Sequence, residues 1–252
     1  MTRFDVDAGG EAFNSERLVT GNSLLDKLPK RQRSELVKAC DVVDLKMGDA
    51  VVRPGEPIRH VYFPRSGYIS LITPPATSES IEVGLVGREG AFGLTVLLDV
   101  DASVLLGVVQ GNGTALRLPV AYLRRIVKQS AHLRKVALRY LYVLMAEVAQ
   151  TAACTRYHRL DARLARWLLM THDRAHGNFF PLTHEFLAYM LGVRRAGVTT
   201  AAHHLRSKGL IDYGRGIVKI IDRKGLEVFS CPCYRAFNDL YSTHLGQLRR
   251  TR

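Results

Sequence analysis

Arg194 and Arg195 stand side by side, and Thr199, Thr200, His203 and His204 follow within ten residues. A guanidinium donates two parallel hydrogen bonds, a hydroxyl donates and accepts, and an imidazole does either. Residues four apart share one face of a helix. These side chains can therefore offer a row of polar groups to base edges and phosphates, the chemistry by which proteins read nucleic acid.

The neighbouring residues predict the elements that hold this row. Phe186, Leu187, Met190 and Leu191 recur at helical spacing, as do Val198, Ala201, Ala202 and Leu205. Gly192 lies between the two sets, where the chain must turn sharply. Ala188, four residues earlier, is small enough to let two helices approach. Thr183 is expected to cap the first helix and to reach a phosphate. The pattern is that of a helix-turn-helix whose second helix, near 194–205, enters a major groove. Beyond it, Leu210–Tyr213 and Ile217–Ile221 flank Gly214-Arg215-Gly216. This reads as a two-stranded wing with Arg215 at its tip, a further DNA contact. Double-stranded DNA is the expected partner.

The charge supports that reading. The 252 residues carry a formal net charge of +13. From Arg156 onward there are 17 Lys and Arg against 7 Asp and Glu, whereas residues 1–155 hold 19 against 16. Positive charge concentrated beside the helix-turn-helix suits phosphate binding by counterion release. No apolar run is long enough to span a membrane and no secretion signal opens the chain, so a cytoplasmic protein without membrane contact is expected. The four cysteines, Cys40, Cys154, Cys231 and Cys233, are then thiols in a reducing compartment.

Residues 1–22 read as a flexible N-terminal segment. Between Val42 and Leu116, short runs rich in Val, Ile, Leu and Tyr alternate with turn signals at Gly48-Asp49, Pro54-Gly55, Ser66-Gly67 and Gly111-Asn112-Gly113. Such spacing predicts an antiparallel β-roll within residues 23–131. A long helix follows over 132–158. Its stripe Ala137, Leu141, Leu144, Val148 and Thr151 is expected to meet the same stripe of a second copy in a homodimer, since two-fold symmetry doubles DNA contact. A second stripe, Leu133, Val136, Tyr140, Val143 and Ala146, would face the roll. Residues 159–230 form the winged helix-turn-helix domain, and 231–252 a C-terminal tail. The fold class is α+β.

Several segments make the chain resemble the Crp/Fnr family of bacterial transcription regulators over roughly residues 23–230. They are Val61-Tyr-Phe-Pro64, Val86-Gly-Arg-Glu-Gly90, Thr151-Ala-Ala-Cys154, Arg163-Leu-Ala-Arg-Trp-Leu168, and Leu182 through Leu205 with its wing. The resemblance implies a cyclic-nucleotide-binding-type roll, a dimerising helix and a C-terminal DNA-binding domain. It further implies a palindromic site and RNA polymerase as a further partner. Arg195 matches the arginine that contacts a guanine. Ala196 stands where familiar members carry a glutamate, and Thr200 where they often carry an arginine, so the groove-reading role transfers and the usual target sequence does not.

The same resemblance places an effector pocket near Gly87, Arg88, Glu89 and Gly90. Cyclic-AMP-binding members grip the phosphate with an arginine further on. Leu97–Gly107 has none here and holds Asp99 and Asp101 instead, so cyclic AMP is not expected to bind tightly. An N-terminal iron–sulfur cluster is excluded, since no cysteine precedes Cys40. Cys231-Pro-Cys233 can ligate a metal only if two ligands come from elsewhere, so the pair reads as free thiols. No cofactor, metal or catalytic residue is expected. A metal-dependent enzyme on the roll would need several histidines and a glutamate, and the roll holds only His60. The remaining alternative is a sensor acting through protein contacts, with weak or no DNA binding.

Overall fold

The computed structural model describes residues 19–74, 80–175, 177, 179–214 and 216–247. Most of the segment 1–22 therefore lies outside the described residues, as does Arg215. Within the segment, Asn22 is buried and fixes the chain ahead of the first turn. Its Oδ1 accepts from the amides of Leu24 and Leu25, and its Nδ2 donates to the carbonyls of Pro64 and Gly90. A short 3-10 turn, Leu25–Lys27, and helix α1, Lys30–Lys38, follow.

Seven strands then form two antiparallel sheets. They are β1 (Asp41–Leu45), β2 (Ala50–Val52), β3 (His60–Pro64), β4 (Tyr68–Ile72), β5 (Glu82–Val86), β6 (Leu106–Gly111) and β7 (Gly113–Pro119). One sheet has the order β1-β7-β3 and the other β2-β6-β4-β5. Their inner faces contribute Val61, Phe63, Ile69, Val109, Leu116 and Leu118 to one apolar core, the expected roll.

Helix α2 (Val120–Gln129) begins after Pro119, and α3 (Ala131–Tyr157) runs for 27 residues from a Ser130 cap that accepts from the Leu133 amide. Leu133, Val136, Tyr140 and Val143 bury against the roll. Helix α4 (Leu160–Arg174) starts a second core that includes α5 (His184–Leu191), α6 (Arg195–Ser207) and a three-stranded sheet. That sheet has β8 (Phe179–Pro181) beside the wing strands β9 (Ile211–Gly214) and β10 (Ile217–Ile220). The third strand was not legible, because three residues carry no period.

The expected tail is instead structured. After α7 (Arg223–Phe229), helix α8 (Cys233–Leu245) runs back along α3. Phe237, Tyr241 and Leu245, four residues apart, bury in the roll core, and the Tyr241 hydroxyl donates to the Glu89 carbonyl at 2.8 Å.

Tyr68, Ile72 and Leu85 of the roll lie in the second core with α4, so the two halves share a packed interface. No helix among the described residues is long and apolar enough to cross a membrane.

Candidate nucleic-acid interface

Helix α5 begins where Thr183 Oγ1 accepts from the Phe186 amide at 3.1 Å, the expected cap. It ends at Gly192, whose φ of +61° is left-handed. That turn lets the Val193 amide reach the Ala188 carbonyl and redirects the chain into α6. Val198, Ala201, Ala202 and Leu205 bury against Leu164 and Leu168 of α4. The opposite face leaves Arg194, Arg195, Ala196, Thr199, Thr200 and His203 in solvent, as a groove-reading helix requires.

The two threonines are partly committed. Thr199 and Thr200 donate their hydroxyls to the carbonyls of Arg195 and Ala196. What they present outward is a methyl group and an acceptor lone pair.

Sequence reasoning missed His184. Its Nδ1 lies 2.9 Å from Thr199 Oγ1, and its ring stacks on Tyr213 of the wing at 4.2 Å and 15°. One side chain thus ties the first helix, the recognition helix and the wing together. Burial, then the Arg195 charge, hold its pKa below the ordinary histidine value. The sequence signal is slight, a histidine directly after the cap.

His204 departs from expectation. It does not point outward. Its Nδ1 lies 2.7 Å from Asp161 Oδ2, and its ring edge meets Phe229. Burial raises the Asp161 pKa, but the His204 and Ala162 hydrogen bonds and the Arg159 charge outweigh it and hold the group low. His204 is a brace between α6 and α4, one residue off the exposed face.

The pocket expected at Gly87–Gly90 is filled. Glu89 lies in an ion pair with Arg174 of α4 at 2.8 Å, and its carboxylate also accepts from the Gly87 amide. A Cβ on Gly90 would fall 2.0 Å from the Tyr140 ring, so Gly90 exists to seat α3 on the roll. Gly87 is likewise pressed by Arg174. These residues are an interdomain joint, not a cavity wall.

An apolar cavity lies elsewhere, between the roll and α3, with a volume of about 500 Å³. Phe92, Leu94, Leu98, Val104, Leu141 and Leu144 line it. Its wall is almost wholly apolar. Ser103 turns its hydroxyl to the Leu105 carbonyl at 2.6 Å. Asp101 pairs with Arg124, which also reaches the Val96 carbonyl.

The stripe expected to meet a second copy is not on the exposed face of α3. Ala137 and Thr151 are buried within their own chain, and Leu141, Leu144 and Val148 face the cavity. Leu138, Tyr142, Met145, Ala149 and Ala152, each one residue further on, are exposed and share one stripe, and Ala131, Ala153 and Tyr157 of α3 are exposed as well. A one-residue step turns a helix by about 100°, so periodicity alone left the stripe assignment open.

Cys231 and Cys233 are not left alone. The fold brings them to Cys154 and His158, and the four potential ligand atoms lie within 4.8 Å of one another.

Two family models match the sequence: the cyclic nucleotide-binding domain over residues 42–130 and the Crp-like helix-turn-helix domain over 162–229. No curated protein matches it. Among solved structures, a transcriptional regulator of the Crp/Fnr family from Eubacterium rectale is similar at 18% identity and a TM-score of 0.66. The match covers 84% of this chain and 99% of that one. A Crp-family transcriptional regulator from Thermus thermophilus matches at 20% identity and 0.63, covering 75% and 96%. FixK2 from Bradyrhizobium japonicum matches at 12% and 0.63, covering 76% and 98%. At these identities the structures establish the fold.

Proposed function

The chain belongs to the Crp/Fnr family of transcription regulators, and we propose that it binds a palindromic DNA site as a homodimer without cyclic AMP as its effector. The observation that carries the DNA reading is the exposed face of α6. Arg194, Arg195, Thr199, Thr200 and His203 point outward from a helix whose opposite face is fully packed.

Arg195 stands in the first turn of α6, where recognition helices contact base edges. It reads a guanine through O6 and N7. Arg194 and Thr183 take phosphates at adjacent helix starts. The acceptor lone pairs of Thr199 and Thr200 suit the exocyclic amines of adenine or cytosine. His184 holds Thr199 and the wing in register. Arg215, between the two wing strands in sequence, is a further candidate for a phosphate contact.

The homodimer rests on α3. Leu138, Tyr142, Met145, Ala149 and Ala152 alternate by four and three residues, the spacing of a coiled-coil seam. Met145 is 64% exposed and Tyr142 46%, a cost in water that a second α3 removes. Two copies place two recognition helices about one DNA turn apart, roughly 34 Å, the spacing known for regulators of this family.

Cyclic AMP is disfavoured by the cavity itself. A cyclic phosphate entering it meets apolar side chains and no free guanidinium. Desolvating that charge without a partner costs several kcal/mol, on the order of a buried ion. An effector acts only through different affinities for two arrangements, and the apolar wall favours an apolar molecule or none.

Genomic selection with the purified chain, with and without cyclic AMP, tests the reading. Enrichment of a palindrome in both conditions is expected. Enrichment only with cyclic AMP overturns the effector reading. Failure to enrich any sequence favours the protein-contact sensor.

A further inference from the structure

Cys154 sits in the last turn of α3, and His158 occupies the turn between α3 and α4. Cys231 and Cys233 flank Pro232 at the start of α8. The whole helix-turn-helix domain separates the two halves of this group in sequence, yet all four ligand atoms converge. Cys154 Sγ lies 3.4 Å from Cys231 Sγ, and Cys233 Sγ lies 3.4 Å from His158 Nδ1. The three cysteines are buried and are free thiols.

We propose that Cys154, His158, Cys231 and Cys233 form a mononuclear, four-coordinate site for zinc. Zinc takes thiolates at about 2.3 Å and imidazole nitrogen at about 2.0–2.1 Å, so the edges of its tetrahedron are about 3.5–3.8 Å. The two 3.4 Å separations lie within a few tenths of an ångström of those edges. Three sulfurs and one nitrogen are a common structural zinc set. The same compactness argues against an iron–sulfur cluster, whose thiolates sit on different irons and stand further apart.

The surroundings fit the charge of such a site. Three thiolates on a divalent ion leave one net negative charge. Arg163 is buried beside them. Its guanidinium donates to the Leu191 carbonyl at 2.6 Å, and it lines one small cleft together with Cys154 and Arg166. A buried cation without a carboxylate is expensive; an anionic metal centre supplies its counter-charge. The ligands are also held in place. The Cys231 amide donates to the Ala162 carbonyl, and Gln150 Nε2 donates to Cys233 Sγ at 3.0 Å. Cys40, by contrast, is remote, donates to the Leu36 carbonyl, and takes no part.

Zinc here joins three elements: the end of the long helix, the turn into the DNA-binding domain, and the start of α8. Binding free energy at such a site is folding free energy. Each bound zinc releases the thiol protons of three cysteines and leaves the imidazole neutral. The proposal does not depend on DNA binding.

Cobalt(II) titration of the reduced, metal-free full chain tests it. The expected result is one equivalent bound, with sulfur-to-cobalt charge transfer and the strong visible bands of a tetrahedral site, all lost on adding one equivalent of zinc. Cys233→Ser should abolish stoichiometric binding, and Cys40→Ser should leave it intact. Substoichiometric binding by the reduced wild-type chain overturns the proposal. So do a weak octahedral spectrum, wild-type affinity in a folded Cys233→Ser variant, or iron with acid-labile sulfide in the protein as purified.

Discussion

Arg174 Nε of α4 donates to Glu89 Oε1 of the roll at 2.8 Å, and both side chains are only about 3–4% exposed. The pair spans the joint between the roll and the helix-turn-helix half. Arg174 also donates to the carbonyls of Met170 and Leu85, so one guanidinium holds both its own helix and β5. Breaking a buried pair by deleting one partner leaves an uncompensated charge and costs about 3–5 kcal/mol. Glu89→Leu is therefore expected to lower the denaturant midpoint sharply. Replacing both residues with apolar ones should recover part of the loss. A Glu89→Leu midpoint equal to that of the wild type would show that the joint is not held this way.

A second joint responds to pH. Glu82 of β5 accepts from Trp167 Nε1 of α4 at 2.7 Å and from Ser70 Oγ. Burial pushes its pKa up to about 7, against those hydrogen bonds, and burial likewise pushes Glu147 of α3 to about 7. Each group keeps its proton in the folded chain over a range where the unfolded chain, titrating at its ordinary 4.5, has lost it. The folded state binds more protons there, so stability falls as pH rises from about 4.5 to about 7. Chemical denaturation across that window should show the decline, and Glu82→Gln together with Glu147→Gln should flatten it. A decline unchanged in the double variant would assign the slope to other groups.

These joints are invisible in the sequence, although most elements are legible. The seven roll strands, α3, α4 and the helix-turn-helix announce themselves through period and turn residues, because those signals are local. Glu89 and Arg174 are 85 residues apart, and nothing local distinguishes them from solvated charges. Glu89 reads as a pocket residue because its neighbours resemble one. His204 reads as exposed because its neighbour His203 is, and only its distance from Asp161 corrects it. Cys154 and His158 have no reason to join Cys231 until the tail proves to be a helix folded back on α3.

On α6, Arg195→Ala should weaken DNA binding by about 1–3 kcal/mol and relax preference at one base pair per half-site. Arg194→Ala should weaken all sequences alike and reduce the salt dependence of binding by about one counterion per subunit. Fluorescence anisotropy over a salt series, with a set of singly mutated sites, separates the two. Equal loss on every site for Arg195→Ala would move that residue to the phosphates.

Calorimetry with cyclic AMP is expected to show no saturable heat. The cavity wall is apolar, and Arg124, the arginine beside Asp101, is already bound to it and to the Val96 carbonyl. Micromolar binding would mean that the wall rearranges to expose a cation.

The register of α3 can be tested at two positions on different faces of the helix. Met145 is exposed on the 138/142/145/149/152 stripe, whereas Ala137 is buried in its own chain. Met145→Glu puts a charge into the proposed seam opposite its own copy, where like charges repel and an apolar contact is lost. Sedimentation should then show monomer at concentrations where the wild type is dimer, with little change in monomer stability. Ala137→Leu overpacks the chain's own core and costs about 1–3 kcal/mol of stability, while the dimer persists. The opposite outcome, a stable monomer from Ala137→Leu and an intact dimer from Met145→Glu, would place the partner on the stripe that here faces the roll.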